Sequence, residues 1–164
     1  MSYTAGEALL LTVVQNCTEF ASTNTARANW KVLNSGASNH YAILRLDDSE
    51  IDWLSPNMYR VRWRTVIELW QRYTNDVDTK TNLYARLNNL IDGIQPFARL
   101  GDTENFVQDA SVRGIGSPQE MWGQGKKGPA WLMIELRVEW HEEATVDEYF
   151  TVGTTGIGSM PRIG

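Results

Sequence analysis

Strict alternation dominates the middle of the chain. From Tyr59 to Tyr73 one parity carries Tyr59, Val61, Trp63, Thr65, Ile67, Leu69, Gln71 and Tyr73. The other carries Arg60, Arg62, Arg64, Val66, Glu68, Trp70 and Arg72. Successive side chains of a strand point to opposite faces, and aromatic and β-branched residues suit that pleated surface, so the segment predicts one long strand. At ~3.3 Å per residue it would span about 50 Å, well beyond the usual length, which predicts an overhang or a bulge. A second alternating run places Leu132, Ile134, Leu136, Val138 and Trp140 on one face and Glu135, Arg137, Glu139 and His141 on the other. Shorter runs at 40–46 and 105–113 predict two more strands.

Steps of three and four residues mark two helices. Leu10, Val13, Val14, Cys17 and Phe20 share one face of a helix predicted over 4–21, with Thr4 and Glu7 at capping-box spacing. The polar stretch 22–29 ends it. Asp78 or Thr79 can cap a second helix whose stripe is Leu83, Leu87, Leu90, Ile91 and Ile94, with Gly93 and Pro96 marking its end. Residues 47–52 read as an acidic loop. Residues 114–129 hold five of the thirteen glycines and two of the five prolines, and read as a long mobile hairpin loop before the last strand. Residues 151–164 lack periodicity and read as a flexible C-terminal tail. The predicted order is α-β-β-α-β-β. It describes a single α+β domain over 1–150, an antiparallel-rich sheet with two helices packed on one face.

Composition narrows the chemistry. The 164 residues carry a net charge of −5, which argues against a general nucleic-acid binder. No stretch reaches the ~20 apolar residues that span a bilayer, so no membrane is expected. The single cysteine excludes a disulfide framework and a cysteine-cluster metal site. Cys17 lies on the apolar stripe of the first helix, where a small buried hydrophobe is the simpler reading than a nucleophile.

Other motifs fail on spacing. His141-Glu142-Glu143 resembles the start of a zinc motif, but position 145 is Thr rather than the second histidine. Gly125-Lys126 is followed by Lys127, and position 120 is Glu, so no phosphate loop is formed. Acids at 47–52 and 142–148 could pair as acid and base only if the fold set them across a cleft. No cofactor and no metal are expected.

The arginine ladder is the least ordinary cluster. Arg60, Arg62 and Arg64 share a face with Trp70 and Arg72, and the segment 59–73 carries four Arg against one Glu. Three readings are open: a grip on single-stranded nucleic acid, an interface to acidic partner subunits, or a solvated face with cross-strand partners such as Glu135 and Glu139. Met121 and Trp122 stand in the middle of the glycine-rich segment, with Lys126 and Lys127 beside them, and read as contact residues awaiting a partner.

A capped first helix, the YRVRWRTVIELWQRY strand, a mid-chain helix, a glycine-rich segment and the closing WLMIELRVEW strand together resemble the tail terminator proteins of long-tailed bacteriophages, also called tail completion or minor tail proteins. The resemblance covers residues 4–145 by element order. It implies an α+β fold and a ring of six copies that caps the head-proximal end of the tail tube, ends tube polymerisation and faces the head connector. Partners would be other copies, the tail tube protein and a connector or neck protein. The protein would be assembled in the bacterial host cytoplasm and reside in the virion. The family offers no catalytic residue to carry over, so no enzyme is expected. Alternatives are another head-tail joining protein, or a single-stranded nucleic-acid-binding module using Arg60, Arg62 and Arg64.

Overall fold

The computed structural model describes residues 3–17, 19–104, 106–123, 125 and 127–146. The proposed tail at 151–164 therefore lies outside the described residues, as does Lys126. Two helices and a six-stranded, mostly antiparallel open sheet make one α+β domain. The order is α1 (Tyr3–Gln15), β1 (Thr25–Arg27), β2 (His40–Ser55), β3 (Met58–Arg72), α2 (Asp76–Ile94), β4 (Val107–Ile115), β5 (Gln119–Trp122) and β6 (Pro129–Thr145). Two strands, β1 and β5, are thus added to the α-β-β-α-β-β order expected from the sequence. Both are three or four residues long, too short for alternation to register.

The sheet runs β1-β2-β3-β6-β4, with β5 also paired to β6. β1 is parallel to β2, and every other pair is antiparallel. β3 and β6 pair without interruption from Met58↔Thr145 to Arg72↔Trp131, so parity alone assigns each side chain to a face. On one face Ala42, Leu44, Ile67, Leu69, Leu132, Ile134, Leu136, Val138 and Trp140 join Leu10, Val13 and Val14 of α1 and Leu83, Leu87, Leu90 and Ile94 of α2 in the main core. The other face carries a smaller cluster of Tyr41, Ile43, Trp70, Trp131 and Met133, against which Val32 and Leu33 of a 3-10 turn (Trp30–Asn34) and Met121 of β5 pack.

Several boundaries differ from expectation for local reasons. α1 stops at Gln15 because the chain tightens: Cys17 N–H donates to Val14 O and Phe20 N–H to Cys17 O, which turns Phe20 into the core. Thr4 lies inside α1 rather than capping it, and Glu7 is drawn to Arg27 at 2.5 Å. α2 is capped by Asn75, whose side chain accepts from Asp78 N–H, with Asp76 and Asp78 in the first turn where the helix dipole favours acids. Gly93 is a helix-interior residue; its missing Cβ makes room for Cys17 Sγ. The acidic stretch 47–52 is the outer half of β2 rather than a loop. Likewise 114–129 is not one long loop, since β4 runs to Ile115 and β5 occupies 119–122. No described helix is long and apolar enough to cross a membrane.

Candidate interaction surfaces

The arginine ladder lies between two acidic strands. β2 contains a bulge at Asp47: Leu46 opposes Thr65, and Asp48 already opposes Arg64. One extra residue reverses which parity of β2 shares a face with the arginines. Asp48, Glu50 and Asp52 therefore flank Arg64, Arg62 and Arg60, instead of turning toward the helices. Arg64 contacts Asp48 and Glu50 at 3.0 and 3.1 Å on one side and Glu139 at 3.1 Å on the other. Arg62 meets Glu50 at 3.0 Å and Asp52 at 3.4 Å, and Arg60 meets Glu143 at 2.7 Å.

Glu139 is the hub of this face, touched also by His141 at 3.2 Å and Arg113 at 3.6 Å. Burial alone would raise its carboxyl, but hydrogen bonds from His141 and Arg64 and the nearby Arg113 and Arg62 hold it below the usual range. Of the partners proposed from the sequence, Glu139 serves the ladder, whereas Glu135 binds Arg45 at 3.0 Å. The two acidic runs do not form a free acid–base pair. Their described members are engaged by other groups of the chain, mostly arginines, and Glu142 accepts from Trp63 Nε1–H at 3.0 Å.

Trp70 and Arg72 lie at the other end of the same strand face. There they meet Met121 and Trp122 of β5 and Trp131 of β6, and with Trp30 of the 3-10 turn they line a groove of about 730 Å³. Arg72 stacks over the Trp131 ring at 4.7 Å. Trp30 is 40% and Trp122 60% exposed, so the groove offers aromatic surface to solvent. Its floor is organised by Glu68, which is buried. Trp30 Nε1–H and Trp70 Nε1–H both donate to Oε2, at 2.5 and 3.1 Å, while Arg45 Nε donates to Oε1 at 2.8 Å. Trp30 and Glu68 escaped the sequence reading. The only hint was an acid set between Val66 and Trp70 on an otherwise apolar half of the strand.

A third feature sits at the opposite end of the sheet, on the helix side of the β2–β3 hairpin. Val61 is buried there, but its cross-strand partner Ile51 is 59% exposed and Trp53 63% exposed, with the Trp53 ring tilted against Tyr59 at 5.3 Å between centroids. Leu54 beside them is also exposed. Lys127 is exposed in the turn after β5. The nine residues singled out from the sequence thus divide. Arg60, Arg62 and Arg64 form the paired ladder, Trp70, Arg72, Met121 and Trp122 converge on the groove, Lys127 lies in the adjoining turn, and Lys126 is outside the described residues.

Among the described residues no group of three or more His, Cys, Asp and Glu is placed to hold a metal. No protein-family model matches the chain, and no curated protein matches it.

Proposed function

We propose that this chain is a structural assembly protein that associates with copies of itself head to tail, as a tail terminator or a closely related head-tail joining protein of a long-tailed phage would. One observation carries the reading: two chemically different apolar surfaces stand at opposite ends of a single sheet. The tryptophan groove is at one end and the Ile51–Trp53–Leu54 tip at the other. Contiguous exposed apolar surface marks an interaction site, and two unlike patches on one subunit suit a heterologous contact, which closes into a ring when its rotation allows. In this reading the ring, of six copies by the family resemblance, caps the head-proximal end of the tail tube, stops its growth and meets the connector. The protein is made in the host cytoplasm and kept in the virion, and it acts through surfaces rather than catalysis, with no cofactor.

The nucleic-acid alternative is weakened because Arg60, Arg62 and Arg64 each already hold carboxylates of the same chain. Phosphate would have to displace those carboxylates in a chain of net charge −5. The test is native mass spectrometry of the full chain across a concentration series, with a single-stranded DNA titration beside it. One discrete oligomer without DNA is expected. A monomer that shifts only with DNA, and less so in high salt, would replace this reading with the nucleic-acid one.

A further inference from the structure

The groove and the end of β6 complement each other, but one copy of the chain cannot bring them together. Three cations stand on the elements around the groove: Lys31 on the 3-10 turn with Trp30, Arg72 on β3, and Lys127 after β5. None of them has a carboxylate partner among the described residues, whereas Arg45, Arg60, Arg62 and Arg64 on the same sheet face all do. Of the nearby acids, Glu68 and Glu135 share Arg45, and Glu120, exposed on β5, is the carboxylate set against these three cations. The groove is therefore aromatic and positive on a protein that is negative as a whole. Its volume falls within the ~300–1,000 Å³ range of sites that bury a small ligand or a few peptide side chains.

The sequence that follows β6 has the opposite character. Residues 147–150 are Asp147, Glu148, Tyr149 and Phe150, two acids followed by two aromatics. The described chain reaches Val146, whose N–H donates to Asn57 O at the turn of the β2–β3 hairpin. Val146 thus ends the described chain at the hairpin turn that follows Ile51, Trp53 and Leu54. Trp131, in the groove, is fifteen residues back along the same strand, which at ~3.3 Å per residue is about 50 Å away. Four residues span at most about 14 Å even fully extended. A chain cannot place its own 147–150 segment in its own groove.

We infer that the groove receives residues 147–150 of a second copy of this chain, with Tyr149 and Phe150 among the tryptophans and Asp147 and Glu148 against Arg72 and the two lysines. This inference rests on the self-assembly reading and names the contact through which that assembly is made. The donor end is the hairpin-tip end of the sheet and the acceptor is the groove end, so each copy gives at one end and receives at the other. Charge gives the contact its direction and partner choice, since an acidic tip is repelled by another acidic tip. The buried aromatics supply the adhesion, as anchor residues of this type do at interface centres.

The experiment is sedimentation velocity on the full chain and on full-chain variants over a concentration series, with far-UV circular dichroism as the check on folding. Tyr149→Ser with Phe150→Ser removes the donor, and Trp122→Ser, at a position 60% exposed and so tolerant of change, weakens the acceptor. Each is expected to weaken association about tenfold or more, and the combined variant to be little weaker than either, because both remove one contact. Arg72→Glu is expected to weaken association and Arg72→Glu with Glu148→Arg to recover it, an outcome that a folding defect at Arg72 would not give. If the unaltered chain associates and the Tyr149→Ser/Phe150→Ser variant does so equally, this contact is wrong and the assembly reading stands. If the unaltered chain is monomeric at its highest soluble concentration, both are wrong.

Discussion

Trp30 donates its indole N–H to the Oε2 of Glu68 at 2.5 Å, across thirty-eight positions of sequence, and so ties the 3-10 turn to the centre of the sheet. The same oxygen accepts from Trp70, and Arg45 neutralises the other. A buried carboxylate is tolerable only when charge and hydrogen bonds compensate it, and here the compensation also builds one wall and the floor of the groove. Glu68→Ala would take the acceptor from two indole donors and one of the carboxylates from Arg45. Arg45 retains Glu135, so the expected loss is about 2–4 kcal/mol of stability, with Glu68→Gln milder because it still accepts. Urea unfolding followed by tryptophan fluorescence measures both.

The bulge at Asp47 sets which residues of β2 meet the arginines. Deleting Asp47 should leave the pairing of Leu46 with Thr65 and of Asp48 with Arg64 intact, because it removes only the unpaired residue. A folded protein is expected despite a deletion inside a sixteen-residue strand. An alanine inserted after Ser49 should instead turn Glu50 and Asp52 toward the helix side and separate Arg62 from both. Amide hydrogen exchange over residues 45–65 distinguishes the cases: protection is retained in the deletion and lost in the insertion.

Glu139 should govern part of the acid limb of stability. Its carboxyl lies below its ordinary value in the folded protein, so the unfolded state binds the proton first as pH falls. The stabilisation is therefore complete above the ordinary carboxyl range and disappears as pH drops through the lower folded value. Glu139→Gln is expected to cost about 1–3 kcal/mol near neutral pH, with the gap to the unaltered protein closing in acid. Thermal unfolding at a series of pH values measures this, and a gap independent of pH would assign the loss to packing.

Cys17 should be dispensable. Its thiol is pushed up by burial, its Sγ contacts Val13 O, and it occupies the space over Gly93. Cys17→Ala is expected to fold and assemble normally. Gly93→Ala should cost about 1–3 kcal/mol by overpacking against the sulfur, and Cys17→Ala in the same chain should return most of it. Chemical denaturation of the two single variants and the double variant tests the pairing.

What the sequence revealed follows from how each feature is encoded. The long β3 and β6 and the stripes of α1 and α2 were legible because alternation and three-four spacing persisted over many residues. The outer half of β2 was not. Six residues from Asp47 to Asp52 include four acids, which resemble a solvated loop until the arginines that neutralise them are known to be one strand away. β1 and β5 are held by pairing with distant strands and carry no local signal of their own. At the candidate site, Trp70, Arg72, Met121 and Trp122 were each visible as unusual residues, but their convergence was not, since it needs β5 folded back on β6. Glu68 and Trp30 required knowledge of a contact between segments thirty-eight residues apart, which single-sequence periodicity does not contain.

Two variants of the whole chain test directly whether unlike surfaces at the two ends of the sheet bind each other between copies: Trp53→Asp with Tyr149→Ser and Phe150→Ser, which disables the tip end, and Trp122→Asp, which disables the groove end. Each is expected to be monomeric by native mass spectrometry. A one-to-one mixture still contains one intact groove and one intact tip per pair, so it should form a heterodimer and grow no further, while the unaltered chain forms a larger closed oligomer. Oligomers of unaltered size from either variant alone, or a mixture that stays monomeric while the unaltered chain assembles, would contradict the claim.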